Sequence, residues 1–190
     1  MTCWNCHEAV RGVVCVGCGV LQPPPAVADP YGMLGLPRRY HVDTRVVEDA
    51  YRALARQVHP DRYTKKSAAE RRMSLQWTAA LNDARRTLKD DDRRAWWLAT
   101  GSTTPREKGA QLDPAFLEEM FEWREAEEEA PGSMRVRAQA REAAIRDELE
   151  TLFSTWEAGN GDLSAVEDRL NRLKYVAGLA REQEHGEHRD

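Results

Sequence analysis

A His-Pro-Asp tripeptide at residues 59–61 lies between two segments that have the apolar spacing of α-helices. Proline disfavours the helical conformation in the residue before it and fixes its own φ angle. The first helix is therefore expected to end near Val58, which leaves the tripeptide in a defined, exposed turn. The next helix is expected to start at the capping box Ser67-Ala-Ala-Glu70. Because short connections favour antiparallel neighbours, the sequence predicts a helical hairpin with the tripeptide at its tip.

Each helix of this hairpin has one apolar stripe at helical spacing. The first helix is expected to be capped by Asp43 or Thr44 and to bury Val46, Val47, Ala50, Tyr51, Leu54, Ala55 and Val58. The second is expected to bury Met73, Trp77, Ala80, Leu81, Ala84 and Leu88. Arg52 and Arg56 fall on the outer side of the first helix, in line with His59. In an arbitrary helix such arginines would be only a solvated face.

All four cysteines fall within the first 18 residues, as the pairs Cys3-x2-Cys6 and Cys15-x2-Cys18. Two such pairs supply the four thiolates of a tetrahedral zinc site, which leaves no open position for catalysis. We expect a zinc-ribbon-like knuckle at residues 1–22 that needs the metal to fold, because so short a module buries little core. A redox pair or disulfides are the alternative, and His7 is an alternative ligand. A proline-rich linker is expected at residues 23–28.

Composition limits the partners and the location of the chain. A net charge of -4 argues against nucleic-acid binding, and no apolar run approaches the ~20 residues that span a bilayer. The N-terminus lacks a signal region, and clustered cysteines fit a reducing compartment, so the bacterial cytoplasm is expected rather than the mitochondrial matrix. Residues 38–94 carry fifteen Lys/Arg against nine Asp/Glu, whereas residues 113–157 carry five Arg against thirteen acids. This asymmetry indicates two modules with different partners.

Residues 105–190 are expected to form a bundle of three helices, separated by Pro131-Gly132 and by Gly159-Asn160-Gly161. The first helix carries a stripe of carboxylates at Glu118, Glu122, Glu125 and Glu129. Leu117 and Phe121 lie beside it, on a helix with more apolar side chains than one core stripe can bury. Exposed apolar groups beside aligned carboxylates are typical of a protein-binding surface. The second helix is expected to bury Val136, Ala140, Ala144, Leu149, Leu152, Phe153 and Trp156.

Residues 29–104 resemble a J-domain, the co-chaperone module that stimulates ATP hydrolysis by DnaK-class chaperones. The resemblance rests on the tripeptide at 59–61, on the exposed residues of the helix before it, and on the segment L-N-D-A-R-R-T-L at 81–88. It implies that the chaperone is contacted by His59, Pro60, Asp61, Arg52, Arg56 and Gln57. The chain itself would be no enzyme and would bind no nucleotide. Arg85 departs from the family pattern, which often has an aromatic residue there.

The order of the modules resembles the HscB-type co-chaperones of iron–sulfur cluster assembly. The bundle contains the segment F-L-E-E-M-F-E-W-R-E, and the knuckle begins C-W-N-C like the extension of the mitochondrial members. The resemblance implies an all-α fold, a DnaK/HscA-class ATPase as one partner and an IscU-type scaffold protein as the other. It also implies a scaffold-binding patch formed by Leu117, Glu118, Phe121, Glu122, Glu125, Glu129 and Tyr175. Glu118 departs from the pattern, since an apolar residue would fit the patch better.

Two other functions are alternatives at this point. One is a general J-domain co-chaperone that serves other clients, and the C-terminal bundle is the feature that discriminates it. The other is a zinc-dependent nucleic-acid-binding protein. The acidic balance and the lack of aromatic residues interleaved with Lys/Arg count against that second alternative.

Overall fold

The computed structural model describes residues 1–103 and 112–186, and the side chains as far as residue 181. Among these residues there is no extended strand, only two isolated β-bridges, Thr2 with Ala9 and Val14 with Leu21. The helices are α1 (Pro30–Leu34), α2 (Thr44–Val58), a 3-10 turn (Pro60–Tyr63), α3 (Ala68–Lys89), α4 (Asp91–Thr100), α5 (Pro114–Glu129), α6 (Ser133–Glu157) and α7 (Val166–Gly186). The chain divides into two compact units, Met1–Arg94 and Ala95–Asp190. None of the described helices is long and apolar enough to cross a membrane.

Helices α2 and α3 form the hairpin that the sequence predicts, and local capping sets their ends. Asp43 caps α2, since its carboxylate accepts the backbone N–H of Arg45 at 2.8 Å. Ser67 and Glu70 form the predicted capping box at the start of α3, with distances of 3.2 and 3.3 Å. The short α1 ends at Gly35, whose φ of 67° costs nothing in the absence of a Cβ.

The core of the first unit follows the two predicted stripes with one exception. The buried side chains of the hairpin and of α1 include Tyr31, Met33, Leu34, Val47, Val58, Trp77, Leu81, Ala84 and Leu88. Val46 is the exception, because it is half exposed while Val47 is fully buried. Successive helical residues point about 100° apart, and the face of α2 that buries Val47 leaves Val46 towards solvent. The prediction for Val46 is therefore wrong.

Helices α5, α6 and α7 form the predicted three-helix bundle of the second unit. Its core contains Phe116, Met120, Trp123, Ile145, Leu149, Phe153, Leu170, Leu173 and Val176. Glu127 closes the turn between α5 and α6, since its carboxylate accepts the backbone N–H groups of Met134 at 2.7 Å and Gly132 at 2.6 Å. These donors hold the pKa of Glu127 below its usual range. This glutamate therefore has a structural role.

The predicted inner face of α6 is wrong in the first half of the helix. Val136 is 63% exposed, and Ala140 and Ala144 are also exposed. The residues that are buried there instead are Met134, Ala138 and Ile145. From Ile145 onwards every fourth residue, Leu149 and then Phe153, faces the core as helical geometry requires. Alanines carry too little apolar area to indicate which of two neighbouring stripes is buried.

Candidate functional site

The tip of the hairpin, defined as residues 59–61, is an exposed turn with a fixed backbone. His59 ends α2 in an extended conformation, with φ -56° and ψ 131°, as the following proline requires. Its Nδ1 accepts the backbone N–H of Asp61 at 3.3 Å and lies 3.5 Å from the Asp61 carboxylate. The side chains of His59 and Asp61 are 56% and 86% exposed. Both side chains are therefore open to a partner protein.

The backbone behind the tip is held by hydrogen bonds from side chains of α3 and of the 3-10 turn. The last carbonyls of a helix have no partner within the helix and need one elsewhere. The buried hydroxyl of Ser74 donates to Val58 O at 2.7 Å, and the hydroxyl of Tyr63 donates to Gln57 O at 3.0 Å. The guanidinium of Arg62 donates to the next carbonyl, Arg56 O, at 3.2 Å. Sequence reasoning missed these three donors, although Ser74 lies one residue after Met73 of the predicted stripe.

The predicted chaperone-contact residues of α2 all lie on its exposed side. Arg52, Arg56 and Gln57 are exposed, and the positions 52, 56 and 59 follow one line along the helix. Arg52 lies 4.0 Å from Glu48, the weakest geometry for an ion pair, so its charge remains available. The side-chain amide of Gln57 donates to Ala53 O within the same helix, at 3.4 Å. The line of positive charge leads directly to the tip.

Arg85, at a position where the resemblance leads us to expect an aromatic residue, is held by charge and by an aromatic face together. Its guanidinium pairs with Glu48 at 2.7 Å and lies 5.0 Å over the ring of Tyr51. Lys89 reaches the same carboxylate at 2.7 Å. Arg85 first, and Lys89 after it, lower the pKa of Glu48 to about 2. These contacts lie between α2 and α3. That the substitution alters the packing there and leaves the tip unchanged stays a prediction.

The four cysteines of the knuckle converge on one point. The Sγ atoms of Cys3 and Cys18 are 3.6 Å apart, as are those of Cys6 and Cys15, and all four lie within 4.8 Å of one another. A zinc ion with Zn–S bonds of about 2.3 Å requires sulfur atoms about 3.8 Å apart. A disulfide bond would be far shorter, and all four thiols are free. The cysteines therefore fit one tetrahedral metal ion.

The knuckle consists of two similar turns that are offset by twelve residues. His7 N donates to Cys3 O at 3.1 Å, and Gly19 N donates to Cys15 O at 2.9 Å. The residue after each cysteine pair has a positive φ, 63° for His7 and 70° for Gly19. His7 is exposed and lies outside the four-thiolate cluster. His7 therefore closes a turn, and it does not belong to the set of residues that could bind the metal.

Backbone amides and neighbouring thiols give the cysteines different acidities. Burial raises the pKa of the Cys3 thiol, but the N–H groups of Cys6 and Asn5 outweigh it and hold that pKa at about 6. The N–H of Glu8 lowers the pKa of Cys6, but burial and the neighbouring sulfur atoms outweigh it and raise that pKa to about 12. Four adjacent thiolates repel one another unless a cation lies between them. The donor set thus favours a divalent ion.

On α5 the acidic stripe, defined as Glu118, Glu122, Glu125 and Glu129, lies beside exposed apolar surface. The buried residues Phe116, Met120 and Trp123 occupy the core side of the helix. Phe121 is 61% exposed, and Leu117 is half-buried. The four glutamates are exposed, and the structure gives them no hydrogen bond or ion pair with another described residue. Unpaired carboxylates around an exposed phenylalanine form a surface suited to an apolar and basic partner.

Tyr175 on α7 packs against α5 next to this surface. Its ring meets Phe116 edge to face, with centroids 6.0 Å apart. Tyr175 also lines an open cavity of about 300 Å³ with Arg124 and Lys174. Sequence reasoning missed both of these basic residues. The spacing of Arg124, one helical turn after Phe121, was the available signal.

Comparisons with known proteins agree with this arrangement. A DnaJ domain model matches residues 29–97, and a model of the HSCB C-terminal oligomerisation domain matches residues 112–184. A co-chaperone protein HscB homolog of Bordetella petrii is 36% identical over 161 residues, which cover 83% of this chain and 95% of that protein. One from Bordetella avium is 37% identical over 166 residues, with 83% and 96% covered. The chain belongs to the HscB co-chaperone family.

Solved structures of the HscB family share this fold. The crystal structure of human co-chaperone protein HscB superimposes with a TM-score of 0.76 and 25% identity, and the alignment covers 99% of both chains. Chaperone HscB from Vibrio cholerae gives a TM-score of 0.60 at 29% identity, with 83% of this chain and 96% of that chain covered. The predicted all-α class, the J-domain hairpin and the C-terminal bundle are confirmed. The human alignment includes nearly the whole chain, so it extends over the knuckle.

Proposed function

We propose that this HscB-family chain is a co-chaperone of iron–sulfur cluster assembly in the bacterial cytoplasm. Its J-domain stimulates ATP hydrolysis by a DnaK/HscA-class chaperone, and its C-terminal bundle delivers an IscU-type scaffold protein. One observation carries the proposal. A single chain has a tip that is fixed from behind and exposed in front. It also has an exposed Phe121 beside four carboxylates that have no partner among the described residues.

At the tip, the geometry favours contact over catalysis. His59 and Asp61 lie on a protruding turn, and catalysis would need a pocket and a third group that orients them. Together with Pro60 they bind the chaperone in the state that hydrolyses ATP, which shifts the partner towards that state. Arg52, Arg56 and Gln57 extend this contact along α2. Their positive charge speeds and orients docking more than it adds affinity.

The scaffold-binding patch combines apolar anchors with a charged surround. Phe121, Leu117 and Tyr175 supply the apolar area, and a few buried aromatic contacts dominate most protein interfaces. The surround consists of Glu118, Glu122, Glu125 and Glu129. A scaffold with a basic, apolar face complements both features. Glu118, at the end of the stripe nearest the start of α5, contributes least because an apolar residue would fit its position better.

A structural Zn²⁺ ion completes the knuckle. It is held by Cys3, Cys6, Cys15 and Cys18, whose sulfur spacing fits a tetrahedral ion. Bound there, the ion supplies folding free energy to a module that has little core of its own. Four thiolates leave the ion no position for substrate, so the chemistry of the complex belongs to the partner ATPase.

The experiment that tests the function crosses two variants with two assays. Purified chaperone and scaffold are combined with the wild type, with His59→Gln or with Phe121→Ala. His59→Gln is expected to abolish stimulation of single-turnover ATP hydrolysis and to leave the dissociation constant for the scaffold unchanged. Phe121→Ala is expected to weaken scaffold binding by about 10- to 100-fold, as loss of an interface anchor does, and to retain the direct stimulation.

His41→Gln is the matched control for the tip variant, because His41 is another exposed histidine of the same unit. It is expected to behave as the wild type in both assays. Stimulation retained by His59→Gln would refute the J-domain function. Stimulation by a wild-type chain that does not bind the scaffold would instead identify a general J-domain co-chaperone with other clients.

A further inference from the structure

Gln22, the last residue of the knuckle, is a polar residue that is only 4% exposed. Its side-chain amide donates to Cys3 Sγ at 3.3 Å and to Val20 O at 3.1 Å. Its side-chain oxygen accepts the backbone N–H of Trp4 at 3.3 Å. Buried amides are retained when their hydrogen bonds are satisfied, and here every one of these bonds is made within the knuckle. One of them goes to a residue that fits the metal-ligand set.

The backbone of Gln22 contacts the hairpin. Gln22 O accepts the indole Nε1–H of Trp77 at 2.7 Å, a buried hydrogen bond between residues 55 positions apart. Trp77 lies in the inner stripe of α3 and is itself buried. Gln22 N donates to Val13 O at 2.8 Å, which fixes the strand-like end of the knuckle. Gln22 is thus bonded to a thiol by its side chain and to the J-domain by its carbonyl.

We infer that Gln22 is a positioning residue that couples metal binding in the knuckle to the packing of the J-domain hairpin. A metal-bound thiolate at Cys3 holds the Gln22 amide, and the amide fixes the carbonyl that receives the Trp77 indole. Donors to metal ligands orient those ligands and tune metal affinity. Because binding free energies are reciprocal, a contact that metal binding strengthens must in turn strengthen metal binding. Metal occupancy and hairpin packing are therefore linked through this one residue.

The surroundings of the Gln22–Trp77 bond make this link sensitive to change. A cavity of about 490 Å³ adjoins the bond, lined by Val10 and Val13 of the knuckle and by Leu54 and Gln57 of α2. The Gln22–Trp77 hydrogen bond joins the two modules beside this cavity. Gln57 also belongs to the proposed chaperone contact, two residues before His59. Loss of the metal is therefore expected to reach the base of the tip.

A first experiment uses the unaltered chain. Hydrogen exchange is measured with zinc bound and after removal of zinc by a chelator under reducing conditions. Amides of α3 around Trp77 are expected to exchange about tenfold faster without zinc, the equivalent of about one lost buried hydrogen bond, while amides of α6 and α7 keep their rates. Equal protection of α3 with and without zinc would overturn the coupling.

A second experiment separates the two ends of the link. Gln22→Met keeps the side-chain length but deletes the donor to Cys3, and is expected to weaken zinc binding by about 10- to 100-fold in competition with a coloured chelator. Trp77→Phe deletes the indole N–H together with part of the ring, in a residue outside the four-cysteine cluster, and is expected to weaken zinc binding by about fivefold. Trp123→Phe, a buried tryptophan of the other unit, is the control and should leave zinc affinity unchanged.

Cobalt substitution provides a readout that a purely structural role of Gln22 would not change. A thiolate that loses a hydrogen-bond donor becomes richer in electrons, so its charge-transfer band to Co²⁺ moves to lower energy. Gln22→Met is expected to show this shift, and Trp77→Phe is expected to keep the wild-type band. An unshifted band in Gln22→Met would refute the contact with the metal ligand. Wild-type zinc affinity in Trp77→Phe would refute the coupling itself.

Discussion

The tip of the hairpin and the acidic stripe present their binding groups in opposite ways. At the tip, Val58 O and Gln57 O accept hydrogen bonds from interior hydroxyl groups, so the backbone itself is fixed before any partner arrives. On α5, the four glutamates have no partner among the described residues, and Phe121 stands among them as an exposed side chain. The tip therefore presents a fixed backbone conformation, whereas the acidic stripe presents charge and apolar area on exposed side chains.

The difference has a physical consequence for the two partners. A preorganised surface loses little conformational entropy on binding and can favour one state of its partner. An unpaired charged surface steers and selects its partner, and its contribution falls as salt is added. Substitutions behind the tip should therefore act through the backbone, whereas substitutions on the stripe should act through charge and leave the fold intact.

The largest expected effect is on scaffold binding by the stripe. The double variant Glu122→Lys with Glu125→Lys should weaken binding by about 100-fold or more, since like charges juxtaposed in an interface cost several kcal/mol. Its melting temperature should match that of the wild type, because both side chains are exposed. Titration calorimetry at low and high salt measures both the loss and its dependence on ionic strength.

Asp147→Lys with Glu150→Lys changes the net charge by the same amount on α6 of the same bundle. This control pair should retain most of the affinity. An equal loss in the two double variants would mean that the scaffold responds to the overall charge of the bundle, and would contradict a defined stripe.

A smaller but more diagnostic effect is expected behind the tip. Ser74→Ala leaves the buried Val58 O without its donor, which should lower the free energy of unfolding by about 1–3 kcal/mol. Because the base of the tip is loosened, stimulation of the ATPase should also fall at temperatures where the variant remains folded. Chemical denaturation and single-turnover hydrolysis measure the two quantities on the same protein.

Thr78→Val is the matched control for Ser74→Ala. This substitution also removes a hydroxyl from α3. The carbonyl that accepts from it, Ser74 O, still accepts the backbone N–H of the helix. Normal stability and stimulation are expected in this variant. If Ser74→Ala lost stability and still stimulated hydrolysis fully, the tip would not depend on its backbone support.

The features that sequence reasoning predicted are those whose causes are local. Proline at 60 ends α2, the pair Ser67 and Glu70 starts α3, and C-x2-C spacing brings thiols together, each within a few residues. Two of the missed features depend on contacts over long separations. Ser74 meets Val58 across 16 residues, and Trp77 meets Gln22 across 55. No local pattern encodes which hydroxyl or indole will find a carbonyl after the elements pack.

The error in the predicted buried face of α6 has a different cause. Val136, Ala140 and Ala144 repeat at helical spacing, and so do Met134, Ala138 and Ile145. The two sets lie on different sides of the same helix, and the choice between them depends on which side the other helices cover. The large residues Leu149 and Phe153 resolve the choice in the second half of the helix, where the prediction is correct.

In the knuckle, the two equivalent turns differ in the residue that follows each cysteine pair. His7 has a positive φ, which is sterically unfavourable for a residue with a Cβ, whereas Gly19 at the same place in the second turn has no Cβ. His7→Gly should therefore stabilise the zinc-bound knuckle by about 0.5–1 kcal/mol, after allowance for the greater freedom of glycine in the unfolded chain. Zinc affinity should rise by about two- to fivefold in chelator competition.

Gly19→Ala is the reciprocal change and should lower zinc affinity, because alanine at a positive φ is strained. Opposite signs for the two variants are the expected result. Weaker zinc binding in His7→Gly would indicate that the imidazole contributes to the site, in contradiction to the four-cysteine set.

The last effect concerns the ion pairs of Glu48, which join α2 to α3 away from the tip. Arg85, and Lys89 after it, hold the folded-state pKa of Glu48 at about 2, below the value of about 4.3 for a glutamate in an unfolded chain. A depressed pKa stabilises the fold above the unfolded-state value, and the stabilisation is lost as the pH falls towards the folded-state value.

The wild type should thus exceed Glu48→Gln in unfolding free energy by a constant amount above pH 5. That margin should shrink steadily below about pH 4.3. Urea titrations of both proteins from pH 6 to about pH 3 measure it, with Asp49→Asn, at an exposed carboxylate of the same helix, as the comparison variant. A margin that grew on acidification would mean that burial of the carboxylate outweighs its two cations. Because the tip is fixed by Ser74 and Tyr63 rather than by Glu48, ATPase stimulation by Glu48→Gln at neutral pH should equal that of the wild type.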